Sequence, residues 1–295
     1  MIKFIKQFFI SSIIFFLLLI AADLVVGNKM NKIYQGWNYE GYRGELKKGK
    51  EDNTRRIAFF GSSALMGWGL KYNQSIPFLF EEKVKKFGFD VVNLGLQGNG
   101  ISGVYSDIRN YRYLKYDTAI IYSGFTDCNL LYETKQSRRG NSLLFKYFTY
   151  LPSLDVYIID KFESVTGINL RKRLKRKDEK WCFDDKIKKS EIDIEKFEIK
   201  LDKYFIKYYG DTINYLMNNE IDVYAIIPPN TENILFNIQK RKLKKFLKNY
   251  SKLKVIDLSE INLGNSYYLY NKGVHLNING TKKLSELIFE SFNTE

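Results

Sequence analysis

Five short apolar runs recur along the chain, each closed by a turn. They read "RIAFF" (56–60), "DVVNLG" (90–95), "DTAIIYSG" (117–124), "IDVYAIIPP" (221–229) and "LKVIDL" (253–258). Strands this continuously apolar are covered on both faces, as in a parallel sheet. Helical spacing fills the gaps between them: "SIPFLFEEKVKKFG" (75–88), then about 101–114, 189–218 and 231–249. A last helix at 280–292 places Leu284, Leu287, Ile288 and Phe292 on one face. The alternation predicts an α/β fold, a three-layer α/β/α sandwich around a five-stranded parallel sheet, in one domain over 55–295. The stretch 129–188 breaks the rhythm. It is aromatic and basic, too long for an ordinary connection, and reads as a helical insertion beside the strand ends.

The N-terminus has another pattern. "FFISSIIFFLLLIAADLVV" (8–26) carries one charge, Asp23. As a helix it rises about 28 Å, close to the thickness of a bilayer core. Residues 1–28 are therefore read as one uncleaved transmembrane anchor, with 29–54 as a connector. A signal peptide cut after Ala22 is the alternative. Lys3 and Lys6 precede the segment, and Lys29, Lys32 and Arg43 come after it, so flanking charge nearly balances. The expected topology, a single pass with the large domain outside the cytoplasm, rests on the usual translocation of a domain behind such a segment.

Composition narrows the partners. Lys and Arg number 47 against 33 Asp and Glu, a net charge of +14. The excess is spread along the chain, which favours a lysine-rich solvated surface over a nucleic-acid site. The densest run, "RKRLKRK" (171–177), reads as a solvated loop, with a patch for anionic headgroups as the alternative. The sequence shows neither a phosphate-binding P-loop nor zinc-finger spacing. Cys128 and Cys182 with one histidine cannot supply four Cys/His zinc ligands. Whether these two thiols pair or stay apart is left open.

Candidate chemistry lies in the turns at the carboxyl ends of the strands, because open α/β sheets bind ligands there. After the first strand stands "GSSALMGWG" (61–69), after the second "NLGLQGNG" (93–100), and after the third "SGFTDCN" (123–129). Beyond the fifth stands "KGVHLNING" (272–280), holding His275, the single histidine of the chain. Each piece alone is commonplace; the order would bring a hydroxyl, two glycine turns, a hydroxyl–carboxylate pair and an imidazole to one rim.

That order resembles the SGNH (GDSL-type) hydrolase superfamily over roughly 55–292. "NYEGYRGEL" (38–46) is similar to the lead-in of its membrane-anchored bacterial members, and Gly67 and Gly69 match the Gly-x-Gly after the nucleophile turn. The resemblance implies a flavodoxin-like layered fold, Ser63 as nucleophile, His275 as base, and an oxyanion hole from Ser63, Gly98 and Thr126. Serine needs a neighbouring base to become nucleophilic, and preorganised N–H groups stabilise the oxyanion that then develops. Three positions depart from the pattern: Ser62 for Asp, Thr126 for Asn, and Lys272 for the Asp that orients histidine. A cation at 272 cannot accept the imidazole N–H. Asp257, Glu260 and Asp127 are the candidate replacements, along with a backbone carbonyl. The implied activity is that of a serine esterase or O-acyl transferase on an acylated cell-envelope glycan or lipid, with no metal or organic cofactor. The competing reading is a catalytically degenerate module for glycan binding or envelope assembly. A third is a lipid hydrolase that holds anionic headgroups through 171–177.

Overall fold

The computed structural model describes residues 2–30, 36, 38, 40–47, 49–51, 53–123, 127, 193–231, 233–269 and 274–293, with isolated positions between 143 and 166. The expected insertion at 129–188 otherwise lies outside the described residues. So do Thr126, Lys272, Cys128 and Cys182.

Helix α1 (Ile2–Met30) opens the chain. Its stretch Lys3–Val26 is long and apolar enough to cross a membrane, a property shared by anchors and signal sequences. Phe8, Phe9, Phe15 and Phe16 are exposed along it. The remaining elements alternate. They are β1 (Arg55–Gly61), the short α2 (Ser63–Met66), α3 (Ile76–Val84), β2 (Phe89–Asn93), α4 (Ile101–Asn110) and β3 (Thr118–Tyr122). After these come α5 (Ile194–Lys200), α6 (Lys207–Asn218), β4 (Asp222–Ile227), α7 (Ile234–Leu247), β5 (Lys254–Asp257) and α8 (Ile278–Asn293). All strand pairings are parallel, in the order β2-β1-β3-β4-β5. This is the α/β architecture that the alternation predicts.

The strands read as unbroken apolar runs because successive residues enter two different cores. Ala58, Phe60, Ala119, Ile121, Val223 and Ala225 pack on one face, with residues of α4, α6 and α7. Ile57, Phe59, Ile120, Tyr122, Tyr224 and Ile226 pack on the other, with α3 and α8. One long helix is expected over 189–218; the structure instead divides the run with a π-helical turn, Leu201–Ile206, between α5 and α6. Arg56, 3% exposed, is held at the amino end of the sheet by Asp90 and by the Leu114 carbonyl.

Part of the segment between α1 and β1 packs on the domain. Arg43 forms an antiparallel bridge with Asn93, at the end of β2. Tyr42 is buried against Tyr111, and its hydroxyl accepts from the Lys47 N–H.

The second core, mostly aliphatic, holds an aromatic group around Phe80, whose ring meets Phe59, Phe289 and Phe292 edge-on. Phe80→Ala is expected to cost about 3–5 kcal/mol, the usual range for emptying a buried aromatic site. The shift of the urea unfolding midpoint measures it.

Candidate active site

The order of strands reverses between β1 and β3, since β2 lies on one side of β1 and every later strand on the other. In this topology the crevice for ligands opens at the carboxyl ends of those two strands. β1 ends there at Gly61, where an added Cβ would collide with the Tyr122 carbonyl of β3. Ser62 is extended, with φ −96° and ψ −163°, and Ser63 is the first residue of α2. The turn is closed by Gly67 N–H and Trp68 N–H, both donating to the Ser63 carbonyl. Gly67 is left-handed at φ +82°, which ends α2 after one turn. A sharp strand–turn–helix thus presents Ser63, 8% exposed, at the rim.

His275 reaches the same rim from the far end of the chain. Its carbonyl accepts from Leu269 N–H at 2.7 Å, and its neighbour Leu276 bridges Tyr268. Two residues on, the Asn277 side chain accepts from the N–H groups of Asn279 and Gly280, which caps the start of α8. The imidazole is fixed between this bridge and this cap. Ser63 Oγ lies 2.8 Å from His275 Nε2. For the hydroxyl to donate to Nε2, the ring proton must sit on Nδ1.

The Trp68 indole lies over the His275 ring, centroids 4.6 Å apart and planes tilted by 34°. Burial pulls the His275 pKa below its ordinary value of 6.5. The imidazole is therefore neutral at neutral pH and free to accept a proton.

The glycine loop after β2 runs beside the turn that carries Ser63. Leu94 N–H and Leu96 N–H donate to the carbonyls of Phe59 and Gly61, so the loop tracks β1 to its end. A Cβ on Gly95 would lie 2.6 Å from Met66 N, so only glycine lets the loop pass α2 this closely. Gly98 is exposed and left-handed, at φ +71°, with open space where a side chain would point. Its N–H has no acceptor among the described residues, and the Ser63 N–H, at a helix start, has none within its helix.

The three carboxylates considered for orienting His275 are engaged elsewhere. Asp127 is buried and accepts from Ile101 N–H at 2.7 Å and Ser123 Oγ at 3.0 Å, tying the start of α4 to the end of β3. Asp257 pairs with Lys244 at 2.8 Å and accepts from Ser259 N–H. Burial alone would raise its carboxyl, but Lys244 and Ser259 outweigh burial and hold it below the usual carboxylate range. Glu260 is exposed and turns to the same lysine. Among the described residues no acceptor is within hydrogen-bond reach of His275 Nδ1. Nor, among them, do three His, Cys, Asp or Glu side chains gather as metal ligands would.

Two residues at the site carry no sequence signal of their own. Trp68 stands between the glycines of "GWG", with nothing to mark it as a partner of His275. Arg43 belongs to the connector, yet its guanidinium donates to the carbonyls of Met66, Gly67 and Leu70 in the turn that follows Ser63.

No protein-family model matches the sequence, and neither does any curated protein. Among solved structures the chain is similar to GDSL/SGNH-type hydrolases. EstA, a psychrotrophic esterase from Pseudoalteromonas sp., shares 10% identity over 82% of this chain and 98% of its own, with a TM-score of 0.49. A GDSL-like lipase from Bacteroides thetaiotaomicron shares 12% over 85% and 92%, with a TM-score of 0.45. A family 3 carbohydrate esterase from Clostridium thermocellum shares 12% over 80% and 94%, also at 0.45.

The burial of His275 sets a pH signature. A base whose pKa is lowered stays competent to lower pH, so the acid limb of kcat/KM is expected below pH 6.5, the ordinary value for histidine. Trp68→Ala opens the ring to water. It is expected to move that limb up toward 6.5 and to lower kcat by about tenfold through lost positioning. Hydrolysis of an aryl ester across pH 4.5–8 reads both effects.

Proposed function

We propose that this chain is a serine ester hydrolase of the SGNH type, held at a membrane by α1 with its domain outside the cytoplasm. The observation that carries the proposal is the 2.8 Å contact between Ser63 Oγ and a neutral His275 Nε2, at the reversal of the sheet. As Ser63 Oγ attacks an ester carbonyl, His275 Nε2 takes its proton. The carbonyl oxygen becomes an oxyanion facing the N–H groups of Ser63 and Gly98, with the Thr126 hydroxyl as a third donor. Collapse expels the alcohol, which receives the proton back from His275, and leaves an acyl ester on Ser63. Water, deprotonated by His275, then attacks the acyl group and frees both the acid and Ser63. If a sugar hydroxyl takes the place of water, the same steps transfer the acyl group. A domain tethered beside the envelope fits an acylated envelope glycan or lipid as substrate.

One observation favours a second reading. His275 Nδ1 lacks a carboxylate among the described residues, and a hydrolase needs its imidazolium stabilised. A catalytically silent domain that binds acylated glycan would keep the crevice without that need.

The full-length protein in detergent separates the two. The esterase reading expects turnover of a short-chain aryl ester, a fall of about 10³-fold or more in Ser63→Ala, and one phosphonate label per chain on Ser63. Turnover that survives Ser63→Ala, or a Ser63 that never labels, overturns it in favour of the binding module.

A further inference from the structure

Arg43 lies 2% exposed inside the domain, although it belongs to the segment that joins α1 to the sheet. A buried guanidinium is tolerated only where its N–H groups find acceptors. Here one nitrogen, Nη1, donates to the carbonyls of Met66 and Gly67, the latter at 2.8 Å, while Nη2 donates to the carbonyl of Leu70. Burial lowers its pKa to about 10, which leaves it charged at neutral pH.

The acceptors belong to one short stretch. Met66 ends α2, which begins with Ser63, and Trp68, the residue over the His275 ring, lies between Gly67 and Leu70. A helix of four residues cannot hold itself, because nucleation costs more than its few hydrogen bonds return. Its last carbonyls need external donors. Two further features fit the clamp. A Cβ on Gly67 would lie 2.9 Å from Arg43 Nη1, so the left-handed glycine also makes room for the guanidinium. The Arg43 N–H donates to the Asn93 carbonyl, and Asn93 Nδ2 reaches back to the Met66 carbonyl. The same residue therefore touches the nucleophile turn and the strand end from which the glycine loop departs.

We propose that Arg43 is a positioning residue of the site: from the membrane-proximal segment it fixes the turn Ser63–Leu70, and through that turn the placement of Ser63 and Trp68 against His275. The inference rests on the esterase reading of Ser63 and His275. Lysine at this position keeps the charge but offers one nitrogen where arginine spreads three donor nitrogens over a planar fork.

The test compares full-length wild type, Arg43→Lys and Arg43→Met in detergent, with Ser63→Ala as the blank. It reads kcat and KM on a short-chain aryl ester, the rate of phosphonate labelling at Ser63, and the folded fraction by circular dichroism at the assay temperature. Both Arg43 variants are expected to lose about 10- to 100-fold in kcat, the scale of a nucleophile displaced by a fraction of an ångström to an ångström. The labelling rate should fall in parallel, with KM within about threefold and the chain folded. An active wild type with unchanged kcat in either folded variant overturns the proposal alone. A loss that only tracks the folded fraction, in both variants, also overturns it, since Arg43 is then merely structural. A wild type no more active than Ser63→Ala overturns the esterase reading, and this inference with it.

Discussion

The contact between Ser63 Oγ and His275 Nε2 joins side chains 212 residues apart, and every structural element that matters to the site serves that meeting. β1 must be flanked on both sides so that its carboxyl end opens at the reversal of strand order. The turn after it must be tight enough to bring Ser63, 8% exposed, up to the rim. α8 must start in the right place, and the Asn277 cap together with the Tyr268–Leu276 bridge fixes that start. A slip of one residue in either segment would turn Ser63 Oγ and His275 Nε2 away from each other. The second core holds β1 and α8 in a common frame, because both Phe59 of β1 and Phe292 of α8 lean on Phe80.

Electrostatics are set by the same burial. A base that accepts a proton from serine must begin neutral and must survive as an imidazolium during turnover. Desolvation under Trp68 secures the first condition and opposes the second. In hydrolases with a full triad a carboxylate resolves that conflict by attracting the imidazolium and holding its tautomer. Asp257, Glu260 and Asp127 do not fill that position, because each already answers a nearer structural need. The indole face offers partial compensation, since an aromatic ring attracts a cation placed over it. Stacking also fixes the ring plane, the part of the carboxylate's task that needs no charge.

The sheet was legible in the sequence because burial on both faces leaves strands with no polar alternation, and five such runs admit few other folds. The helices of one-sided burial were legible from their spacing, but the π-helical turn at Leu201–Ile206 was not, because it changes hydrogen bonding without changing the apolar pattern. The convergence of Ser63 and His275 could be expected from their position after strands, which is a topological rule. The fate of Asp257 could not, because β5 is an edge strand and only the structure shows that α7 brings Lys244 to it. Trp68 and Arg43 act through contacts that obey no period, so a pattern of residues cannot reveal them.

The smallest element therefore carries the greatest demand. α2 has four residues, too few to pay for its own order, yet it holds the hydroxyl that lies 2.8 Å from His275 Nε2. Neighbours supply that order from three directions. Gly67 lets the backbone reverse, Gly95 lets the next loop close over Met66, and Arg43 donates to the Met66 carbonyl that ends the short helix and to those of Gly67 and Leu70 just beyond it. The first two are local permissions, granted by the absence of a side chain. Arg43 is different in kind, because it arrives from a segment that the five-stranded sheet does not need for its own pairing. A domain cut at the first strand would keep the pairing of its five strands but lose that guanidinium, along with Tyr42 from the first core, so the connector belongs to the site as much as the sheet does.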